Sequence, residues 1–559
     1  MSGSIELART VVDELVRCGV RDAVLSPGSR SGPMAFALAD ADAAGVLRLH
    51  VRVDERGAAF LALGLIRGSG RPVPVVCTSG TAVANLHPAV LEARHAGLPL
   101  LAVTPDRPAE LHGVGANQTT LHDRVLGGSV RWSGRLASRD VGESDASGQG
   151  PYWRATVARA VREAEGLPRG PAGPVHLNLE MSEPLVPAGE APVRPGRPSG
   201  RAWLEATGLT PGPALRLDAY TPTVVLAGDG AGAEATEVAV RGGWPVLAEP
   251  SSGAWGQAAS VPSAPYVAAA AGFQARHRAE RLVVFGRPTL SRSVLRLLTD
   301  PRPEVVVVAG AHPEWPDPGH RASDVVTSVA PRGEPRFSWQ ASWRAAGARA
   351  WLAAHEMLDD QEWPAEPDVA ATVVATLPEG AACLLGSSQP VRDVFLVAAP
   401  RPGLLIVANR GLSGIDGTVS SAVGLALGQP RPTYALLGDL AFWHDATGLL
   451  VGPHEPRPDL CLVVVNNDGG GIFGLLEPGE QDYAGVFERV FATPTGGDVG
   501  AWCAAAGVPH EAPQSRDALV AALAPRPGLR VVEVRTDRAR NRALHAELRA
   551  AAVAAVEAE

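Results

Sequence analysis

Two polar clusters in the last third of the chain have the makings of a site for a divalent cation and a diphosphate. Gly438-Asp439-Leu440 directly follows the apolar run Thr433 to Leu437, and Asn466-Asn467-Asp468-Gly469-Gly470-Gly471 follows Leu460 to Val465. The Asp439 carboxylate, the Asn467 amide oxygen and the main-chain carbonyl of Gly469 are hard oxygen donors, which Mg²⁺ takes together with phosphate oxygens and water. Gly438, Gly469 and Gly470 allow main chain to approach a diphosphate closely. Singly, Gly-Asp and Asn-Asn are ordinary turn chemistry. Their weight comes from position: each ends an apolar strand, and open α/β sheets bind ligands at the carboxyl ends of their strands.

A third segment supplies a candidate proton-transfer group. Asp54 to Gly64 reads E-x-x-A-x-x-x-A-x-G from Glu55 onward. Helical spacing puts Ala58 and Ala62 on one face, where small side chains allow close packing. Glu55 stands at the helix start, where the helix dipole favours a carboxylate. By itself it reads as a structural helix-start acid or as an acid–base group.

The elements that must carry these groups show as alternation. Short β-branched or aliphatic runs alternate with Ala-rich, helix-spaced segments along all 559 residues, the pattern of parallel α/β structure. Candidate buried strands are Ala23 to Leu25, Val73 to Cys77, Leu98 to Val103 and His176 to Asn178, then Thr223 to Ala227, Leu282 to Phe285 and Glu304 to Ala309. A last set is Leu404 to Val407, Thr433 to Leu437, Leu460 to Val465 and Val531 to Val534. Pro184 to Pro213, rich in Pro and Gly, reads as a linker, and a weaker break spans Asp359 to Asp368. The expected architecture is α/β: three doubly wound parallel-sheet domains at about 1–185, 200–350 and 360–559.

Composition narrows the chemistry. Lys and Arg together number 50, and every one is Arg. A chain without Lys forms no lysine Schiff base with pyridoxal phosphate or a ketone, and has no phosphate-loop lysine. A net charge of −9 gives no general attraction for nucleic acid or anionic membrane. The five cysteines, Cys18, Cys77, Cys383, Cys461 and Cys503, lie far apart and read as reduced thiols. The N-terminal stretch does not read as a signal peptide, and no run of about 18 apolar residues reads as a membrane span. A cytoplasmic protein without nucleic-acid partners or membrane insertion is expected.

Asp439 and Asn467, in this order and spacing, resemble the GD(G)…NN signature of thiamine-diphosphate enzymes, with Leu440 in place of the usual final Gly. Glu55 in its pattern, followed by Thr78-Ser79-Gly80-Thr81-Ala82-Val83-Ala84-Asn85 and Leu98-Pro99-Leu100-Leu101, resembles the pyrimidine-binding domain of the same enzymes. There a carboxylate bonds N1′ of the aminopyrimidine and favours the imino tautomer whose 4′-nitrogen deprotonates C2 of the thiazolium. The implied order is a pyrimidine-binding, a middle Rossmann-like and a diphosphate-binding domain. In that decarboxylase/synthase superfamily the cofactor lies between chains, which implies a homodimer or homotetramer.

Further stretches narrow the resemblance. Ser26-Pro27-Gly28-Ser29-Arg30-Ser31, Asp106-Arg107-Pro108, Gly115-Ala116-Asn117-Gln118, Asn409-Arg410-Gly411-Leu412-Ser413-Gly414-Ile415-Asp416-Gly417 and Gly471-Ile472-Phe473 together resemble the 2-succinyl-5-enolpyruvyl-6-hydroxy-3-cyclohexene-1-carboxylate synthases of menaquinone biosynthesis. The likeness is strong in the first and third domains and weak in the middle one. It implies decarboxylation of 2-oxoglutarate on thiamine diphosphate with Mg²⁺ (or Mn²⁺), then 1,4-addition of the four-carbon acyl anion to isochorismate. By the same likeness Ser388, Arg392 and Arg410 hold 2-oxoglutarate, and Ser29, Arg30, Arg107, Asn117 and Gln118 face isochorismate. Arg292 falls at the family's basic pair, whose second position here is Ser293. Ile415 is implied as the wedge that bends the cofactor, and Ile472, Phe473 and Leu476 as apolar walls. Arginine suits these carboxylates because it binds them bidentately and stays charged.

Three other readings stand beside this one. Gly228-Asp229-Gly230-Ala231-Gly232 after a strand, with Glu249 about twenty residues on, outlines a dinucleotide site and hence a nicotinamide or flavin oxidoreductase. Acetohydroxyacid synthase, a flavin-carrying thiamine enzyme, is a nearer alternative. A non-catalytic binding protein on the same fold is the third. The adjacent His-His pair of many simple thiamine decarboxylases does not occur in the chain, so a site short of proton donors, favouring capture by carbon, is expected.

Overall fold

The computed structural model describes residues 3–138, 146–188, 193–208, 212–310 and 312–558. Among these, all strand pairs of the named sheets are parallel. The first sheet contains β1 (Asp22–Leu25), β2 (Arg48–Val51), β3 (Val73–Val76), β4 (Leu100–Asp106), β5 (Trp132–Ala137) and β6 (Val175–Glu180), in the order β2-β1-β3-β4-β6-β5. Next come β7 (Leu215–Asp218), β8 (Thr223–Ala227), β9 (Val246–Ala248), β10 (Arg281–Phe285), β11 (Glu304–Val308), β12 (Ala322–Val326) and β13 (Val329–Arg332). They form a five-stranded sheet, β12-β11-β10-β8-β9, and a short β13-β7 pair. The last sheet has β14 (Ala382–Leu385), β15 (Leu405–Val407), β16 (Thr433–Gly438), β17 (Leu460–Asn466), β18 (His510–Glu511) and β19 (Leu529–Arg535). Its order, β15-β14-β16-β17-β19-β18, is that of the first sheet strand for strand.

The α/β expectation therefore holds, and all of the candidate strands appear, with ends within three residues of those expected. Central strands such as β1, β3, β10 and β17 are buried on both faces, so they read as unbroken apolar runs. The strands that escaped sequence reading lack that signal. Central β14 is Ala-Cys-Leu-Leu, with no β-branched residue; edge strands β2 and β5 mix exposed with buried positions, and edge strand β12 has none fully buried.

By compactness the chain forms two units. The first is Met1–Leu209 with Asp416–Pro430 and Asp445–Pro458; the second is Thr210–Ile415 with Arg431–His444 and Asp459–Glu559. Helix Thr418–Gly428, which precedes β16 in sequence, thus belongs with the first sheet. The cause is a glycine contact with helix Glu55–Ser69. A Cβ on Gly64 would lie 2.1 Å from the Ser421 carbonyl oxygen, and one on Gly424 would lie 2.1 Å from that of Leu61. Ala58 and Ala62 are fully buried, as their spacing predicts, but Gly64 is the residue that admits the second helix's backbone. The proline-rich stretch after Pro184 is docked in part on the first unit: the buried Glu14 carboxylate accepts from the Trp203 amide at 2.5 Å and from Arg154 Nη1 at 2.7 Å, and Arg154 Nε donates to the Arg194 carbonyl at 3.1 Å.

In the second unit, the glycine turn after β8 is filled by its own chain. A Cβ on Gly228 would lie 1.9 Å from the Pro288 nitrogen, and Asp229 pairs with Arg287 in an antiparallel bridge. Glu249 does not face a ribose. It is 2% exposed, and its Oε1 accepts from the amides of Thr289 and Leu290 at 2.5 and 2.7 Å. The dinucleotide outline is a packing solution between the turns after β8 and β10.

Two predictions follow from this packing. Gly64→Ala should destabilise the first unit by about 1–3 kcal/mol through overpacking, measured by denaturant unfolding, whereas Gly128→Ala, whose Cβ meets nothing within 4 Å, should change it little. Burial raises the Glu249 carboxyl from 4.5 to about 7, against the pull of Arg410 and two amides and with the push of Asp229. A raised carboxyl stabilises the fold most below its unfolded pKa and loses that contribution as pH rises through the folded value. Glu249→Gln should flatten the stability of the second unit between about pH 5 and about pH 8, with a difference of order 3 kcal/mol at the alkaline end.

Candidate active site

In the second unit the polar clusters come together at the carboxyl ends of adjacent strands. β16 ends at Gly438 and β17 at Asn466, and the two pair from Thr433–Leu460 to Gly438–Val465. Asp439 is 2% exposed, and its Oδ2 accepts from the Gly469 amide at 2.7 Å, which ties the two turns. Burial pushes its carboxyl up to about 6, while main-chain donors, Gly469 first, pull it down. Gly469 adopts φ +144°, and a Cβ there would lie 2.5 Å from the Ala492 carbonyl oxygen. A Cβ on Gly438 would meet nothing within 4 Å, so space is open beside it. Leu440 is half-buried at the start of a short helix.

Asn467 Nδ2 donates to Glu366 Oε1 at 2.7 Å, and Arg538 Nη1 donates to the Asn467 carbonyl at 2.7 Å. The Asn467 Oδ1 atom is buried without a hydrogen bond. A buried carboxylate, an unspent amide oxygen and a glycine turn form a donor set that fits a hard divalent cation beside a diphosphate. Glu366 and Arg538 are absent from the sequence reading. Arg538 had a signal, since it follows β19 at the same sheet edge; Glu366 had none, because it sits in the Pro364–Pro367 stretch read as a break.

A cleft of ≈ 640 Å³ in the second unit is lined by Arg292, Arg392, Ile472 and Leu476 among others, so four predicted residues share one cavity. Ser388, with φ 76°, precedes helix Gln389–Val397, and Arg392 Nη1 donates to its carbonyl at 2.5 Å. Arg410 is 2% exposed, and its Nη2 donates to Thr289 Oγ1 at 2.7 Å, while Nε and Nη1 have no hydrogen-bond partner among the described residues. Burial and then the Arg410 charge lower the Arg392 pKa from the usual arginine value. Arg292 is mostly exposed and pairs with Glu477 at 2.9 Å, and Ser293 Oγ donates to the Pro265 carbonyl instead of facing a ligand as a second base. Phe473 is 36% exposed and tilts against Phe491, with ring centroids 6.0 Å apart. Ile415 is half-buried in the loop before Gly417.

The first unit carries the remaining residues at the carboxyl edge of its own sheet. Glu55 opens helix Glu55–Ser69, capped by Asp54, whose Oδ1 accepts from the Arg56 amide at 2.9 Å. The turn before it is gripped by residues distant in sequence: Thr447 Oγ1 donates to Asp54 Oδ2 at 3.1 Å, and Glu455 Oε2 accepts from the Val51 amide at 2.8 Å. Glu55 Oε2 accepts from Asn85 Nδ2 at 3.2 Å. Arg107, 8% exposed, donates through Nη1 to Ser79 Oγ and to the Gln118 carbonyl, each at 2.6 Å; Gln118 Nε2 donates to the Ser79 carbonyl at 2.8 Å. Arg30 Nη1 donates to the Met181 carbonyl at 2.8 Å, and burial followed by the Arg107 charge lowers its pKa. Ser29 and Asn117 are exposed. Sequence reading also missed the buried polar layer beneath: the Gly80 amide donates to His122 Nε2 at 3.2 Å, His122 Nδ1 meets Asn178 Oδ1 at 3.0 Å, and Asn178 Nδ2 donates to Asp106 Oδ2 at 3.0 Å. Burial lowers the His122 pKa, consistent with a neutral ring that accepts at Nε2.

Comparison with known proteins agrees with this layout. Residues 5–125 match the family described as "Thiamine pyrophosphate enzyme, N-terminal TPP binding domain". Proteins called 2-succinyl-5-enolpyruvyl-6-hydroxy-3-cyclohexene-1-carboxylate synthase are similar over the full length: one from Saccharopolyspora erythraea is 48% identical, with 99% of each chain covered. One from Nocardia farcinica is 46% identical over 98% of this chain and 99% of its own, and one from Kineococcus radiotolerans is 48% identical with both chains wholly covered. The chain belongs to the 2-succinyl-5-enolpyruvyl-6-hydroxy-3-cyclohexene-1-carboxylate synthase family of thiamine-diphosphate enzymes.

Proposed function

We propose that the protein is a transferase of menaquinone biosynthesis that decarboxylates 2-oxoglutarate and adds the four-carbon remainder to isochorismate. Residues 1–185 serve as the pyrimidine-binding domain, 200–350 as the middle domain and 360–559 as the diphosphate-binding domain. The observation that carries the substrate assignment is Arg410. A buried guanidinium with two unspent N–H directions, beside a second arginine and with Glu249 as the nearby carboxyl, is suited to take a ligand anion. A dicarboxylate is such an anion, with Ser388 and Arg392 completing its cradle.

Thiamine diphosphate supplies, when bound, a carbon nucleophile that attacks 2-oxo acids and accepts the electron pair left by CO₂. The protein's part is binding, orientation and proton handling. Asp439, Asn467 and the Gly469 carbonyl hold Mg²⁺, or Mn²⁺ in its place, and Gly438, Leu440 and Gly470 border the diphosphate. Glu55 holds a proton at N1′ of the aminopyrimidine. Ile415, Ile472, Phe473 and Leu476 exclude water, while Ser29, Arg30, Arg107, Asn117 and Gln118 bind the isochorismate side; Arg292 reaches the same substrates from the rim.

The active unit in this reading is a homodimer or homotetramer with sites between chains. Val53, two residues before Glu55, is 90% exposed, an apolar side chain such a partner would cover. No helix among the described residues is long and apolar enough to cross a membrane. The reading places the enzyme in the cytoplasm, without nucleic-acid partners or membrane insertion.

The primary assay supplies 2-oxoglutarate, isochorismate, thiamine diphosphate and Mg²⁺ and follows isochorismate loss and CO₂ release against single-omission controls; CO₂ without isochorismate loss contradicts the reading. Glu55→Gln should lower kcat by about 10²–10⁴-fold while calorimetry still detects thiamine diphosphate and Mg²⁺ binding. Arg410→Met should lower kcat/KM for 2-oxoglutarate by about a hundredfold, ~3 kcal/mol, and disturb the isochorismate KM much less.

A further inference from the structure

Asn467 is restrained at both ends. Its carbonyl accepts from Arg538 Nη1 at 2.7 Å, and its amide Nδ2 donates to Glu366 Oε1 at 2.7 Å. Glu366 is 5% exposed and opens helix Glu366–Thr376. Its Oε1 also accepts from Thr536 Oγ1 at 3.1 Å, and its Oε2 accepts from Asn541 Nδ2 at 2.9 Å. These three donors come from three elements: the turn after β17, the turn after β19 and helix Arg538–Glu557. Three donors therefore converge on Glu366, and both of its oxygens are engaged as acceptors.

A carboxamide has two ends of nearly equal size, one a donor and one an acceptor. Turned over, Asn467 would set Oδ1 against a Glu366 oxygen that already accepts from Thr536, and its Nδ2 would lose its acceptor. Only one orientation satisfies Glu366, and it leaves Oδ1 on the other side of the amide, buried and without a hydrogen bond. A metal requires that oxygen and is repelled by the NH₂ group.

We infer that Glu366 is a positioning residue for the divalent cation, holding the Asn467 amide so that Oδ1 is turned toward the metal. This assignment rests on Asn467 being a metal ligand. Glu366 touches neither cation nor substrate; it acts through the amide it locks, as carboxylates behind metal-bound side chains commonly do. Asn541 makes the conservative variant interpretable. Its Oδ1 is also buried without a hydrogen bond, so the Asn541 amide can turn to accept from the NH₂ of Gln in Glu366→Gln, whose carbonyl still receives Asn467 and Thr536.

The test is Mn²⁺ titration of the full chain with thiamine diphosphate present, followed by the electron paramagnetic resonance of free Mn²⁺, with the Mg²⁺ requirement for turnover measured in parallel. Glu366→Leu should weaken Mn²⁺ by about ten- to hundredfold and raise the Mg²⁺ needed for half-activation, with kcat recovering at saturating Mg²⁺. Glu366→Gln should keep the parent affinity. Unchanged Mn²⁺ affinity in Glu366→Leu, or a fall in kcat without a shifted metal requirement, overturns the inference. Unchanged affinity in Asn467→Ala overturns the ligand assignment beneath it, so the two failures are distinguishable. If Glu366→Leu does not fold, Glu366→Ala takes its place: a ten- to hundredfold weaker Mn²⁺ affinity supports the amide lock, and parent affinity overturns it.

Discussion

Reversal of strand order is the constraint on which the two six-stranded sheets depend. In each, the chain builds outward in one direction, returns to the first strand and builds the other way, so the turns leaving the first and third strands diverge. Ser26–Ser31 leaves β1 and Cys77–Gly80 leaves β3; Gly386–Ser388 leaves β14 and Asp439 leaves β16. Backbone N–H groups and short polar side chains are delivered there without breaking the apolar strands beneath. The same arrangement thus yields one edge rich in donors around Arg107 and Gln118, and another rich in oxygen acceptors around Asp439.

The carboxyl edge of the last sheet carries buried polar groups that the chain satisfies only in part. Asp439 and Arg410 are each 2% exposed, and burying such groups costs free energy unless hydrogen bonds or opposite charge compensate. Main-chain amides, Gly469 first, serve Asp439, whereas Arg410 has Thr289 on one nitrogen and the Glu249 carboxyl nearby. Structural polar layers elsewhere look different. The Gly80–His122–Asn178–Asp106 chain closes on itself through successive donors and acceptors. The contrast is with Arg410, two of whose nitrogens lack a hydrogen bond among the described residues.

Sequence alone reached far in the apolar strands and the glycine-flanked turns, because burial on both faces and left-handed or close-approach backbone restrict residue choice. Arg292, Arg392, Ile472 and Leu476, singled out from sequence, line one cleft. Sequence reading did not reach interactions whose partners are remote in sequence. Glu366 and Asn467, Glu455 and Val51, and Gly64 and Gly424 are linked only once the chain has folded, and none leaves a local pattern. The Gly228 loop shows the opposite failure, since a familiar glycine spacing served two of the chain's own turns packed together. Ser293 stands where the resemblance places a second basic residue, and its hydroxyl donates to the Pro265 carbonyl.

The first unit borrows helix Thr418–Gly428 and the segment through Pro458 from far downstream. A ribosome adding about 5–20 residues each second needs roughly 20–70 s to travel from Ser69 to Gly428. Throughout that interval the glycine-bearing face of helix Glu55–Ser69 lacks the backbone that fits it. Although it emerges first, the N-terminal sheet therefore completes its core late, and translation order and folding order are uncoupled in this chain.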